Sequence, residues 1–457
     1  MKKKDAKPQI LLAQEEEIQK LIEDFHGQAP TGLLVQRIES LVRTAVFKSA
    51  NALVGFLLQD AVDRADAAFV PKPKQQRKGR ETLNVKGLFG VFKLQRDYYY
   101  HAGKKQGHYP ADSALGLEIG YTPALARLMC LEGADEPSYL QAEEHLREIG
   151  GIEVSARQIQ RVVQRVGKDA QLWQEREVIA NQCNQTDASV FYVSADGTGA
   201  PMRKTELKGR NGKQADGSSK TRQAYLGCVF TQHGVDKDGH PIRDWQSTTY
   251  VSTFSSISHF GPMLRREAFR RGMGSAKQVV LLIDGAEGLG NMGKDCFKDA
   301  VQIVDFYHAM EHAGKVIDAL LGGKGHPKRK ERLRHWSRGL LKNQVASLVA
   351  KAQKEAQAVG RDEEVEKELG YFHNNLDRMK YGTFRKKGFF IGSGVIEAGC
   401  KTVIGTRCKQ SGMFWSLIGA EHVLALRCIH TSRRLNHYWE YRLNNHAARN
   451  DSLPLAA

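Results

Sequence analysis

Two short apolar runs, each followed directly by Asp-Gly, limit the folds open to this chain of 457 residues. Residues 190–195 lead into Asp196, and residues 279–283 lead into Asp284. Runs of this length and apolarity predict strands that are buried on both faces, as in the sheets of α/β proteins. Ligands of such sheets bind beyond the strand ends, so both carboxylates are candidates for a functional site. Asp-Gly is also common in turns, which would explain either pair without any function.

The periodicity of the remaining sequence predicts a mixed α/β sheet with helical regions before and inside it. Further strands are predicted at 225–230, 248–253 and 301–304, and a helix at 258–272. Helices are also predicted within 9–70, 122–170, 309–380, 393–404 and 414–427, a polar loop at 203–222, a basic linker at 72–81, and a small hairpin from 82–85 and 90–94.

These patterns indicate six segments. They are a helical N-terminal region (1–71), a DNA-binding region with a small β unit (72–187), the first part of a catalytic core (188–308), a helical insertion (309–385), the second part of the core (386–440) and a tail (441–457).

A glycine turn at Gly150-Gly151 separates two predicted helices, and Ser155 is the predicted N-cap of the second. The second helix is rich in Arg and Gln, so the pair resembles a helix-turn-helix. Two packed helices without a DNA-binding role explain the same pattern equally well.

The chain carries 68 Lys and Arg against 51 Asp and Glu, a formal net charge of +17. This excess indicates a polyanionic partner, either nucleic acid or an anionic membrane surface. No run approaches the roughly 18 apolar residues of a membrane span, and no signal-peptide core is evident, so we expect a cytosolic protein without a membrane partner. Seven cysteines are scattered without a Cys-x-x-Cys pair, which predicts reduced structural thiols and no zinc ribbon.

Two neighbouring carboxylates repel each other, and a bound Mg²⁺ or Mn²⁺ ion, which prefers oxygen ligands, usually compensates their charge. Glu397 is the best candidate for a third acid, because it lies in an apolar segment rich in small residues where an unpaired charge is costly. A helix packed closely on the sheet would explain the glycines of this segment. Glu287 and Asp305 are competing candidates that periodicity does not separate from Glu397.

Several motifs resemble those of the ISKra family of insertion-sequence transposases, over about residues 85–440. The motifs are Asp196-Gly197-Thr198-Gly199, Gly209-Arg210-Asn211-Gly212-Lys213-Gln214, residues 226–232, residues 303–312 with Asp305 and His308, residues 392–401 and residues 409–415. The resemblance implies an RNase H-like domain with an Asp-Asp-Glu triad and a helical insertion before the Glu, similar to Mutator-type transposases. Matched residue by residue, the triad falls on Asp196, Asp284 and Glu397.

The resemblance implies phosphoryl transfer at DNA, with two Mg²⁺ or Mn²⁺ ions held by the triad. It also implies an oligomer that acts on transposon ends and target DNA. Asp305 and His308 resemble an accessory Asp-x-x-His element, although a buried, hydrogen-bonded histidine explains His308 equally well. Family members often carry paired cysteines around residues 77–107, and this chain has none there. We therefore expect an altered or purely electrostatic DNA contact in that region.

Two basic stretches account for most of the net charge. Residues 324–342 carry +7 and residues 401–450 carry +6. The candidate DNA contacts are Lys328, Arg329, Lys330, Lys401, Arg407, Lys409 and the stacking residue Trp415. A solvated helix face would explain the first stretch, and a core position would explain Trp415 somewhat better than stacking on a base.

Three other functions fit parts of the pattern. A sugar-kinase-type phosphotransferase would need a second glycine motif that the sequence does not supply, and Gly212-Lys213 is no P-loop because Gln214 follows. A transposase-derived DNA-binding protein would keep the basic patches and lose an acid, whereas all three acids are present. An RNase H-like nuclease without strand transfer would share the whole site.

Overall fold

The computed structural model describes residues 15–16, 18–117, 120–175, 186–212, 217 and 219–445. The predicted tail beyond residue 445, Cys183 and the motif residues Lys213 and Gln214 lie outside this part of the chain. The chain divides into two compact units. The first is formed by residues 1–163 with 436–457, and the second by residues 164–435.

The first unit is mostly helical, with one small antiparallel sheet of order β1-β2-β3. Its elements are α1 (18–25), α2 (Gly32–Ala68), β1 (Gln75–Gly87), β2 (Gly90–His101), β3 (Gln106–His108), α3 (Pro110–Leu115), α4 (Pro123–Asp135), α5 (Tyr139–Glu148), the first part of α6 (Ala156–Glu175) and α18 (Leu435–Asn444).

Strand β1 corrects the prediction of a basic linker at 72–81. Its residues pair with β2 from Gln75 onward, and Arg77 forms an ion pair with Asp97 across the ladder at 2.6 Å. These charged side chains lie on an exposed part of the β1–β2 hairpin. Because neither face of the hairpin is buried there, its residues do not alternate between apolar and polar, and the strand was not predicted. The predicted hairpin at 82–94 is confirmed, but it is only the inner end of a longer one.

The N-cap prediction at Ser155 is confirmed. The backbone N–H of Gln158 donates to Ser155 Oγ at 3.3 Å, and the Gln158 side chain accepts from the Ser155 N–H at 2.9 Å. This reciprocal capping box starts α6 where the sequence places it. Helices α5 and α6 therefore exist as predicted, and their use as a helix-turn-helix stays a prediction.

Helix α2 is long and apolar enough, by length and composition alone, to cross a membrane. This corrects the expectation that no segment approaches such a length, because apolar residues recur along α2 without forming an unbroken run. Buried core helices and signal sequences pass the same test, so the finding alone assigns no membrane role.

The second unit contains the predicted mixed α/β sheet. Its strands are β4 (Val190–Pro201), β5 (Thr221–Val235), β6 (Pro241–Arg243), β7 (Thr249–Thr253), β8 (Val279–Ile283) and β9 (Val301–Val304). The order is β6-β5-β4-β8-β9, with β7 also paired to β5. Strands β4, β8 and β9 run parallel to one another. Strand β5 runs antiparallel to β4, and β6 and β7 run antiparallel to β5.

Helices make up the rest of the second unit, including the range of the predicted insertion. They are the last part of α6, α7 (Lys204–Leu207), α8 (Ile257–Arg270), α9 (Glu287–Cys296), α10 (Phe306–Leu321), α11 (Arg329–Leu341), α12 (Val345–Val359), α13 (Asp362–His373), α14 (Tyr381–Lys386), α15 (Gly394–Gly399), α16 (Thr406–Cys408) and α17 (Leu417–Thr431). The prediction that residues 309–380 are helical without a strand is confirmed.

Helices α8 and α9 pack on the apolar face of the central strands. Phe260 and Leu264 of α8 and Leu289 of α9 meet Val193 and Leu281 in one buried cluster. Burial on both faces of β4 and β8 is what the unbroken apolar runs predict.

A fully buried carboxylate, Glu267 of α8, ties three parts of the second unit together. Its oxygens accept from Thr249 Oγ1 at 2.8 Å, Arg270 Nη1 at 2.6 Å and Arg434 Nη1 at 3.0 Å. Burial alone would raise the pKa of Glu267, but Arg434, Arg270 and the Thr249 hydroxyl hold it below its ordinary value. The buried charge is thus stable because two guanidinium groups compensate it.

We predict that Glu267→Gln lowers the free energy of unfolding at pH 7 by about 3 kcal/mol, because two largely buried guanidinium groups, of Arg270 and Arg434, lose their counter-charge. A lowered folded-state pKa gives stability that is present above the unfolded pKa of roughly 4.3 and is lost as the pH falls through the folded value. Urea denaturation should therefore show a gap between wild type and variant that closes below about pH 4. The exposed Glu440→Gln serves as control, and an equal loss in both variants would contradict this role.

Candidate active site

The register between β4 and β8 places the two predicted aspartates side by side. Ala195 pairs with Ile283 in this parallel ladder. Asp196, the next residue of β4, therefore lies beside Asp284, the first residue after β8. Neighbouring strands lie about 4.8 Å apart. Both side chains are half-buried.

One detail of the prediction is wrong, since β4 does not end before Asp196. The strand continues to Pro201, and Asp196 pairs with Leu226 of β5. Strand β8 does end, at Ile283. Asp196 therefore lies on a continuous strand at the position where its parallel neighbour stops.

The two carboxylates are held by local backbone groups. Gly197 N–H donates to Asp196 Oδ1 at 2.6 Å, and Ala286 N–H donates to Asp284 Oδ1 at 3.0 Å. Burial raises the pKa of Asp284, and the charge of Asp196 raises it further, while the Ala286 N–H, His308 and Arg378 oppose the shift. The ionised form of Asp284 is therefore disfavoured by burial and by the charge of Asp196, and a bound cation would stabilise it.

The helix that carries Glu397 packs tightly against the sheet. A Cβ on Gly399 would lie 2.6 Å from Tyr250 Cε1 and 3.2 Å from Leu226 Cδ2, so only glycine fits there. This confirms that close helix–sheet packing explains the glycine at 399. After α15 the helix continues through a π-helical turn, Cys400–Gly405.

Cys400 connects this helix to the first aspartate. Its thiol donates to Asp196 Oδ2 at 3.5 Å. Residues three apart share one face of a helix, so Glu397 lies on the face that Cys400 turns toward Asp196. The side chain of Glu397 is half-buried.

Both carboxylate oxygens of Asp305 already accept backbone hydrogen bonds, which favours an anchoring role over a metal-ligand role. Its buried carboxylate accepts the His308 N–H at 2.7 Å through Oδ1, as the N-cap of α10, and the Ser393 N–H through Oδ2. The Ser393 hydroxyl in turn donates to Glu397 Oε1 at 2.7 Å. Asp305 thus fixes the segment that orients Glu397. The other competing acid, Glu287, is exposed on the first turn of α9.

The insertion contributes side chains next to Asp284 that the sequence did not reveal. A Cβ on Gly285 would meet the Tyr371 ring at 2.3 Å, and the Asn375 amide donates to the Gly285 carbonyl at 3.4 Å. Arg378 places positive charge near Asp284. No linear pattern marks Tyr371 or Arg378, whereas Cys400 could have been found from its helical spacing to Glu397.

The predicted DNA contacts divide into exposed and buried side chains. Lys328, Lys330 and Lys401 are exposed, as is Lys409, whose ammonium group donates to Thr198 Oγ1 two residues beyond Asp196.

Burial corrects the prediction for Arg407 and agrees with the core position that the sequence somewhat favours for Trp415, while Arg329 is partly exposed and ion-paired. Arg407 is fully buried with its guanidinium 4.8 Å from the ring centroid of Trp415, itself buried. Arg329 forms an ion pair with Asp318 at 2.5 Å. Arg407 and Trp415 have no surface to offer a phosphate backbone, and the charge of Arg329 is already compensated.

The donor set of Asp196, Asp284 and Glu397 consists only of carboxylate oxygens, the chemistry that Mg²⁺ and Mn²⁺ prefer. Their convergence is incomplete. Among the described residues, the groups with three ligand atoms within 4.8 Å of one another are Glu132–Glu136–His145 and Asp236–Asp238–His240. The donors therefore fit a divalent ion chemically, and the three carboxylates would have to move closer together to share one.

Comparison with known proteins gives one solved structure to report, the Drosophila P element transposase strand transfer complex. It is 12% identical, with 71% of this chain and 80% of that chain covered, at a TM-score of 0.23. No family model and no curated protein matches the sequence. A likeness at this level does not establish a shared fold, which leaves function to be inferred from the site.

We predict that Gly399→Ala destabilises the protein by about 1–3 kcal/mol, because the added methyl group overlaps Tyr250 and forces α15 away from the sheet. Gly394→Ala, where a Cβ would meet nothing within 4 Å, should leave the free energy of unfolding nearly unchanged. Chemical denaturation measures both. Equal stability of the two variants would contradict the close packing.

Proposed function

We propose that this protein is an RNase H-like Asp-Asp-Glu transposase that cleaves DNA at insertion-sequence ends and transfers the strands. The observation that carries the proposal is the pairing of Ala195 with Ile283, which sets Asp196 beside Asp284 on parallel strands. The helix of Glu397 lies over the same place through the Cys400–Asp196 contact. Two acids on adjacent strands with a third on a helix are the arrangement that the resemblance implies.

The strand order supports the fold part of this proposal. On one side of the central strand β4 lies the antiparallel strand β5, with β7 antiparallel to β5 in turn, and on the other side lie the parallel strands β8 and β9. This is the arrangement of RNase H-like cores. The helical insertion between β9 and α15 also lies where the resemblance expects it, just before the acid on the helix.

In the proposed reaction, Asp196, Asp284 and Glu397 would hold two Mg²⁺ or Mn²⁺ ions. When bound, such ions supply Lewis-acid activation of the attacking hydroxyl and stabilisation of the leaving oxygen. Asp305 and Ser393 keep Glu397 oriented, and Cys400 holds the second oxygen of Asp196. The guanidinium group of Arg378 offsets part of the repulsion at Asp284.

DNA is the proposed polyanionic partner, with Lys401, Lys409, Lys328 and Lys330 as phosphate contacts. Lys409 supports this assignment most directly, because it reaches Thr198 on the same strand as Asp196. We also propose that the protein is cytosolic and acts on DNA as an oligomer.

One observation favours a rival, a transposase-derived protein that binds DNA without cutting it. The three carboxylates do not converge within 4.8 Å. In that case the basic surface would be functional and the acids would be remnants. Cleavage assays separate the two functions.

We predict that Asp196→Asn, Asp284→Asn and Glu397→Gln each abolish Mg²⁺-dependent nicking of transposon-end DNA while DNA affinity is kept, because each removes a metal ligand but no phosphate contact. Glu287→Gln, an exposed acid just after the second aspartate, should nick at the wild-type rate. Gel assays that resolve nicked and joined products also distinguish a transposase from a simple nuclease. Nicking by all three variants would contradict the assignment.

We predict that Lys401→Ala with Lys409→Ala weakens DNA binding and reduces the slope of log affinity against log salt by about 2, since each phosphate contact contributes roughly 0.9. The matched control is Lys351→Ala with Lys354→Ala on α12, two exposed lysines outside the proposed path. Fluorescence anisotropy at several salt concentrations gives both slopes. An equal slope change in the two double variants would show only a general charge effect.

A further inference from the structure

Asp284 lies at the point where the support of the sheet ends. The ladders that join β8 to β4 and to β9 both stop at Ile283. The next three residues, 284–286, form a turn before α9 begins. Since the charge of Asp196 repels that of Asp284, this turn would relax away from β4 unless other groups hold it.

The Tyr371 ring of α13 lies directly on this turn. A Cβ on Gly285 would lie 2.3 Å from Tyr371 Cε2 and 2.5 Å from its Cζ, closer than a real Cβ can approach. Gly285 has no positive φ, so contact with the ring explains this glycine better than backbone conformation does. The Tyr371 ring also stacks on the His312 ring, with 3.7 Å between the centroids and 8° between the planes. His312 Nδ1 lies 3.3 Å from Glu368 Oε2, which holds the stack in place.

A buried amide connects the same turn to the end of the insertion. Asn375 is 2% exposed, and its Nδ2 donates to the Gly285 carbonyl at 3.4 Å and to the Tyr371 carbonyl at 2.7 Å. Its Oδ1 accepts from the Arg378 guanidinium group. That guanidinium group lies against α9, because a Cβ on Gly290 would be 2.8 Å from Arg378 Nη1. The end of the insertion therefore contacts the chain both within the turn and in the helix that follows it.

Apolar packing alone does not explain Asn375. A buried amide is stable only where its hydrogen bonds are made, and an apolar side chain of the same size would fill the space without that requirement. Both bonds that the Asn375 amide donates go to backbone carbonyls, and one of these belongs to the residue after Asp284. The amide thus fixes one segment of the chain relative to another.

We propose that Tyr371 and Asn375 are positioning residues that hold Asp284 beside Asp196 against their mutual repulsion. The helical insertion then sets how strongly the two carboxylates bind a divalent cation, because a pair that is already held together needs less rearrangement to bind the ion. The effect on the cation rests on the proposed function, whereas the restraint on residues 284–286 does not.

The test is Mn²⁺ binding by the full chain, measured by electron paramagnetic resonance of the free ion. Asn375→Leu keeps the volume of the side chain and removes the amide. We expect the Mn²⁺ sites that Asp196→Asn abolishes to lose about 10-fold in affinity in this variant. Tyr371→Leu, which removes the ring from Gly285, should give a loss of the same order. The Mg²⁺ concentration that half-saturates nicking should rise by the same factor, with the maximal rate restored at high Mg²⁺.

The matched control is Leu348→Ala, which opens a cavity in the packing between α11 and α12. Leu348 is buried and contacts Gly339 of α11, so this variant should destabilise the insertion and leave the affinity for Mn²⁺ unchanged. Equal losses of affinity in Leu348→Ala and Asn375→Leu would show general loosening and would overturn the proposal. Circular dichroism with thermal melting confirms that each variant is folded, and Tyr371→Leu replaces Asn375→Leu if the latter does not fold.

Amide hydrogen exchange separates this proposal from the proposed function. Peptides that cover residues 284–290 should exchange faster in Asn375→Leu than in the wild type or in Leu348→Ala, whether or not the protein cuts DNA. Wild-type exchange in Asn375→Leu would overturn the restraint on the turn, and faster exchange with wild-type Mn²⁺ affinity would overturn its effect on the cation. If Asp196→Asn abolishes no Mn²⁺ site, the proposed function fails, and the exchange rates alone decide whether Asn375 restrains the turn.

Discussion

The repulsion between Asp196 and Asp284 is the constraint on which the rest of the site depends. Like charges on neighbouring strands, whose backbones lie about 4.8 Å apart, repel each other. The register of β4 and β8 enforces this proximity, since Ala195 and Ile283 are paired. Backbone N–H groups and Arg378 offset part of the cost. A structural purpose would be served better by neutral side chains, which is why the pair points to a bound cation.

The third acid is positioned through a relay that begins at the end of β9. Asp305 is buried and binds the backbone of both His308 and Ser393, and Ser393 then binds Glu397. Gly399 lets the helix approach β5 and β7, and Cys400 reaches Asp196. The position of Glu397 is therefore set by groups at both ends of its helix. Such support by surrounding residues is what a precise site requires.

The sequence predicts the central strands of the sheet, because they are buried along their length and are therefore apolar. The strands at 190–195, 279–283 and 301–304 are apolar because both faces are covered, and their acids follow directly. The extension of β4 beyond Asp196 was not predictable, because its pairing with β5 depends on residues far along the chain. Strand β1 was missed for the opposite reason, since an exposed charged ribbon has no apolar pattern.

Side-chain roles were harder to predict than strands. The sequence predicted that Arg407 is an exposed DNA contact. It is instead buried against the ring of Trp415, because a guanidinium group can stack on an aromatic ring inside a protein. The role of Asp305 depends on a backbone N–H 88 residues away in the chain, and that of Arg378 on the folding of the insertion. The sequence identified Asp196, Asp284 and Asp305 as candidate acids. Only the fold distinguishes the first two from Asp305, whose oxygens bind backbone N–H groups.

A crystal structure with Mn²⁺ tests the central claim most directly. The account predicts an anomalous peak between Asp196 and Asp284 that contacts a carboxylate oxygen of each, with Glu397 drawn toward it. Peaks confined to Glu132–Glu136–His145 or Asp236–Asp238–His240, the groups that already converge within 4.8 Å, would contradict the account.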